Sequence, residues 1–155
     1  MEGASFAGLF AGNTCGINAS SLLLPATTLS ENCYSGMFAG CSQMDGGPAE
    51  LPALTLAPGC YSNMFKGCNM ISWAETLELP ATELVENCYA YMFYECYNLE
   101  ALICLATTIP LGSNCTTDWL YGVNNSGTFT KAKDASCWTT GSSDGIPSGW
   151  TVNDY

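Results

Sequence analysis

Histidine and arginine are missing from this chain and lysine occurs only three times, against fourteen carboxylates and a formal charge of −11. Recognition of nucleic acid needs cations that neutralise phosphates, so this balance excludes a nucleic-acid partner and disfavours attraction to anionic lipid head groups. Long apolar runs are lacking too. The richest stretch, Leu99 to Leu111, is broken by Glu100, Thr107, Thr108 and Pro110, short of the ~18 residues a membrane span requires, so no membrane insertion is expected. None of the ten cysteines stands in a C-x-x-C pair. Without such a pair or a histidine, the usual zinc spacings cannot be built, and neither a metal nor another cofactor is expected. No G-x-S-x-G, Walker loop or other catalytic signature occurs, so the chain does not read as an enzyme. Hydrophobic residues make up 48% and charged residues only 11%, which is too apolar for a disordered chain.

What is present is a repeat. The block LPATTLSENCYSGMFAGC from Leu24 returns as LPALTLAPGCYSNMFKGC from Leu51 and LPATELVENCYAYMFYEC from Leu79. Cys33/Cys60/Cys88, Met37/Met64/Met92, Phe38/Phe65/Phe93 and Cys41/Cys68/Cys96 keep step. A fixed period of this size marks a stacked array in which each unit buries its apolar side against its neighbours. The divisions are a partial unit at 3–23, units at 24–50, 51–78 and 79–105, and a degenerate unit at 106–125, in which Trp119-Leu120 stands where Met-Phe stood. Together 1–125 form the repeat region. From Ser126 the composition turns to Gly, Ser, Thr and Asp with scattered aromatics, read as a C-terminal cap over 126–155, a hairpin or irregular wrap. At the other end, Ser5 to Gly12 matches the middle of a unit, and Met1-Glu2-Gly3 carries no export signal. The chain therefore reads as a piece of a longer protein, with an uncapped N-terminal rung open to self-association.

Within a unit, Leu77-Glu78-Leu79-Pro80 alternates and is ended by proline, which predicts a short strand. Ser30-Glu31 and Pro58 resemble helix starts, Cys33, Met37 and Cys41 lie at i, i+4 and i+8, and Gly40 and Gly67 resemble helix stops. This spacing predicts a short helix. The fold class expected is α/β: a leucine-rich-repeat solenoid with short parallel strands on one face and short helices on the other, of about four to five rungs plus the cap.

Leu77, Leu79, Pro80, Leu84, Met92, Phe93, Cys96 and Leu99, with their equivalents in the other units, resemble the leucine-rich repeats of BspA-like bacterial surface proteins. The tail from Gly145 to Val152 is similar to the endings of such proteins. The resemblance implies a curved solenoid with a concave parallel sheet and convex helices, a place at the cell surface or outside the cell, and a role in adhesion or ligand binding. Similar arrays in phage proteins imply, alternatively, a structural spacer or assembly segment. No catalytic residue is implied.

The repeated letters are scaffold, so binding residues are sought where units differ. Glu50 and Glu78, between the leucines, are expected to face outward in register with Cys104 as a third, while an exposed Trp73 and Glu75 approach the same surface. Carboxylates beside a tryptophan suit a sugar, a cation or a basic peptide. Tyr91, Tyr94 and Tyr97 form a dense tyrosine patch, and tyrosines give contact area at small entropic cost. The column Phe6, Tyr34, Tyr61, Tyr89 is expected to stack with hydroxyls reaching solvent. For the cysteines, in-register columns place Cα atoms within bridging range, yet an inward column is also where a small apolar thiol packs well. Cys15, Cys104 and Cys137 lie outside the columns and are the most open to chemistry. The ligand expected is a protein or a glycan.

Overall fold

A computed structural model describes residues 5–155; the start of the unit placed at 3–23 and the Met1-Glu2-Gly3 stretch lie outside the described residues. The chain winds into a parallel β-solenoid. Its regular sheet has four strands, β1 (Leu77–Leu79), β2 (Ala101–Cys104), β3 (Gly127–Lys131) and β4 (Trp150–Asp154), ordered as in the sequence and all parallel. No helix occurs among the described residues. This overturns the leucine-rich-repeat architecture: the solenoid is present, but the face opposite the sheet is not helical.

That opposite face is built from consecutive tight turns. In the run from Asn32 to Cys41 the amides of Ser35, Met37, Ala39 and Cys41 donate to the carbonyls three residues earlier, at 3.0–3.1 Å. The intervening amides of Tyr34, Gly36, Phe38 and Gly40 donate instead to Cys60, Ser62, Met64 and Lys66 of the next run, at 2.7–2.9 Å. Half of the amides therefore close turns and half stitch one run to the next. Such a path needs φ > 0 at every fourth residue, which the chain supplies at Asn32, Gly36 and Gly40, then Gly59, Asn63 and Gly67, then Asn87, Tyr91 and Glu95. Glycine enters this region freely and asparagine does so more readily than most residues, which explains their recurrence. The cysteine–methionine stripe belongs to this four-residue period. Over eight residues a helix drifts only about 80° from it, so the apolar pattern alone fits both.

Each run turns two adjacent side chains in four toward the core. Cys33, Tyr34, Met37, Phe38 and Cys41 are all buried, as are their equivalents in the two following runs. The phenylalanine rings of Phe10, Phe38, Phe65 and Phe93 stack at centroid distances of 5.3–5.7 Å. Beside them Phe6, Tyr34, Tyr61 and Tyr89 stack at 5.7–6.0 Å. The three tyrosines of that column are buried rather than lying at the surface, because the ring beside phenylalanine points the same way in this turn geometry. In the degenerate unit Thr116 takes the tyrosine place, and the larger Trp119 indole fills the gap by stacking on Tyr89 at 6.1 Å.

The ten cysteines are free thiols. Cys41, Cys68 and Cys96 donate their S–H to the carbonyls of Phe10, Phe38 and Phe65, at 3.0–3.1 Å. Each thiol thus joins its run to the preceding one rather than meeting the neighbouring sulfur. Cys104 is not exposed but fully buried, since its ladder partner is the inward Leu79. Burial pushes Cys60, Cys68 and Cys104 up to about 12. Cys15 is exposed and Cys137 half-buried.

The segment after Ser126 is neither a hairpin nor a separate wrap. β3 and β4 pair in parallel and continue the sheet, while the chain between them closes the last turn run. Trp138 stacks on Trp119 at 5.3 Å, the Trp119 indole donates to the Gly145 carbonyl at 3.0 Å, and the Asp144 carboxylate accepts from the Asp118 amide at 3.2 Å. An acid is apt there, because the stitching amides all point toward this end. The first run has no such cover among the described residues, and Phe6 and Leu9 are exposed.

Two predictions follow from the turn geometry and the buried thiols. Gly67→Ala forces a Cβ at φ +74° and is expected to lower stability by about 1 kcal/mol in urea unfolding, whereas Glu95→Gly relaxes the same conformation and is expected not to destabilise. In the unfolded chain thiols ionise near pH 8.5, while Cys60, Cys68 and Cys104 keep their protons to about 12. The unfolded state therefore sheds protons first. Stability should be intact below about pH 8.5 and fall toward pH 12 by about 1.4 kcal/mol per pH unit for each such thiol, measured by denaturant unfolding under reducing conditions.

Candidate binding cleft

The sheet-side surface is irregular where the first strands would have been. Pro48 precedes Ala49-Glu50-Leu51 where the next unit has Thr76 before β1, and it removes an amide donor there; Glu50 lies in no strand. Glu50 and Glu78 are therefore not in ladder register as expected. Glu78 sits at the centre of β1, and its outward row continues through Ile103, not Cys104, to Thr130 and Asn153. The unpaired stretch leaves a depression. A cleft of about 690 Å³ opens between the 47–54 segment and the 73–80 segment, and Glu50, Trp73, Glu75 and Glu78 all line it. Leu51, Leu54, Pro52 and Pro80 give it apolar walls, and Ser20 adds a hydroxyl. A smaller hollow of about 270 Å³ shares Trp73 and Glu75 and carries Glu100.

Trp73 is half-buried, not a free platform. Its indole N–H donates to the Pro48 carbonyl at 3.1 Å, and its ring meets Phe65 and Phe93 edge-on at 5.4 and 5.9 Å. One part of the ring is thus tied to the phenylalanine column while another forms cleft wall. Gly47 makes this possible, since a Cβ there would stand 2.5 Å from the indole nitrogen. None of the three lysines lines the cleft, and among the described residues no three acidic or cysteine side chains converge as metal ligands. The cleft is therefore an acidic, partly apolar groove, suited to a ligand that carries positive charge on an apolar body.

The tyrosine candidates lie on the turn face and none of them lines this cleft. Tyr91 and Tyr94 stand 6.0 Å apart, with the Lys66 ammonium 5.1 and 5.0 Å from their ring centres. Tyr121 stacks on Tyr94 at 5.0 Å. Tyr97 is half exposed and joins none of these ring contacts. The sequence reading missed Tyr121 and Lys66, although both are one repeat away from Tyr94 and the offset could have found them. It also missed Ser20 and Leu54, which only the winding brings to the cleft.

No protein-family model matches this chain, nor does any curated protein or solved structure, so its likeness to BspA-like surface proteins rests on the repeat letters alone.

Proposed function

We propose that the protein is a non-enzymatic binding module of a bacterial surface protein, and that the sheet-side cleft is its recognition site for a basic, partly apolar segment of a protein ligand. The observation that carries this reading is the gathering of Glu50, Glu75 and Glu78 with Trp73 and Leu54 around one groove from which every lysine is absent. Three carboxylates facing the same opening favour a cationic partner, the overall charge of −11 steers it there, and the apolar walls reward an aliphatic stem. A glycan fits less well, because the Trp73 indole N–H is already given to the Pro48 carbonyl and the ring is packed against Phe65 and Phe93.

A short alternating leucine–lysine peptide is a suitable probe, followed by tryptophan fluorescence and calorimetry. Saturable binding is expected, weakened about two- to fivefold by each of Glu50→Gln and Glu78→Gln, and lost as salt rises. Tyr91→Ser with Tyr94→Ser should leave it unchanged. Unaltered affinity in the glutamine variants, with loss in the tyrosine variants, would move the site to the turn face and overturn this reading.

A second reading, a spacer or assembly segment of a phage or secreted protein, draws on the exposed Phe6 and Leu9 of the first run. It predicts concentration-dependent association in light scattering that Leu9→Lys abolishes; a monomer at all concentrations would remove it.

A further inference from the structure

The sheet carries one contact that its own ladder does not require. Glu78, Ile103, Thr130 and Asn153 form the outward row of β1 to β4. Tyr155, two residues past Asn153, has the same outward parity. Its backbone extends the β3–β4 ladder through a bond from the Tyr155 amide to the Lys131 carbonyl at 2.8 Å, beside the Lys131–Asp154 ion pair. From that anchored position the side chain lies back across the sheet, and its hydroxyl donates to Oε2 of Glu78 at 3.3 Å. The two residues are 77 positions apart in the chain. The Glu78 conformer that accepts this bond is the same one that lines the cleft.

We infer that Tyr155 is the positioning residue of the cleft, fixing the Glu78 carboxylate at its β1 wall so that a cationic ligand meets a prearranged acceptor. This rests on the binding reading above. A carboxylate has two oxygens and about four acceptor sites, so the hydroxyl on Oε2 leaves Oε1 and the charge available to a ligand ammonium. A free glutamate must lose its rotamer freedom when it binds; one already tethered has lost it beforehand. Lys131, whose carbonyl accepts from the Tyr155 amide, has its ammonium engaged by Asp154 and by the Lys133 carbonyl. Tyr155 thereby makes a residue of the far sheet edge part of a site whose other walls belong to the 47–54 and 73–80 segments.

The test is Tyr155→Phe, which deletes only the hydroxyl of a side chain that is 64% exposed and so leaves folding intact. Affinity for the leucine–lysine peptide should fall about twofold, within the loss caused by Glu78→Gln because Tyr155 acts only through Glu78, and the same substitution in a Glu78→Gln background should cost nothing further. In the unliganded protein the Glu78 carboxyl carbon resonance should move in Tyr155→Phe, whereas those of Glu50 and Glu75 should not. An unmoved Glu78 resonance overturns the inference whether or not the peptide binds. If Glu50→Gln weakens binding while Tyr155→Phe does not, the positioning role falls and the cleft stands. If neither Glu50→Gln nor Glu78→Gln affects the peptide, the cleft reading falls, and with it this role.

Discussion

Everything in this molecule depends on a backbone that must pass through the left-handed region at every fourth residue of its turn face. That requirement lets alternate amides leave the local turns and bond to the next run, so the stack is held by a ladder without strands or helices on that side. It also sets which side chains point inward. Two adjacent residues in four enter the core, which is why Cys-Tyr and Met-Phe occur as neighbouring pairs and not as the spaced singles of a strand. Where glycine or asparagine gives way to Tyr91 and Glu95, the backbone keeps the same conformation at a cost of about 1–2 kcal/mol per residue, held there by stitches to the run on each side.

The core that results is a set of ladders running along the solenoid axis. Aromatic rings stack on aromatic rings, and thiols reach back to phenylalanine carbonyls. Each ladder ends by substitution, not by repetition. Trp119 takes over the tyrosine column where Thr116 leaves it empty, Val123 follows the last thiol of its column, and Trp138 with Asp144 seals the amide-bearing end. The sheet follows a different rule. It becomes regular only from β1 onward; in the preceding unit Pro48 stands where Thr76 precedes β1. The cleft lies at that transition, where the turn face is fully ordered and the sheet has not yet formed. The candidate site and the irregularity coincide for a plain reason: a complete ladder leaves a flat surface, and a missing strand leaves a hollow.

The candidate site was partly legible in the chain. Glu50, Trp73, Glu75 and Glu78 stand out as polar or bulky departures near the leucines, and all four do share one cleft. Their roles were less legible. Trp73 appeared exposed because sequence cannot reveal that Gly47 leaves room for its ring to be tied at Pro48 and packed against Phe65 and Phe93. Cys104 appeared outward because the step from β1 to β2 is 25 residues, from Leu77 to Leu102, two or three short of the repeat. A one-residue slip in register exchanges the faces of a strand. The Tyr155–Glu78 contact joins positions with no periodic relation and could not be read at all.

By itself the sequence determined that the chain is a stacked array and which side chains fill its core. These follow from composition and period, which need no coordinates. It could not decide between a helix and a run of turns, because apolar spacing over nine residues fits both periods. The discriminating signal was the left-handed demand at Asn32, Gly36 and Gly40 taken together, and its meaning emerges only once the alternate amides have a neighbouring run to bond. The tertiary structure alone decided the absence of helices among the described residues, the inward turn of Cys104 and the assembly of the cleft. Each is fixed by how one run meets the next, and that meeting is absent from any single stretch of chain.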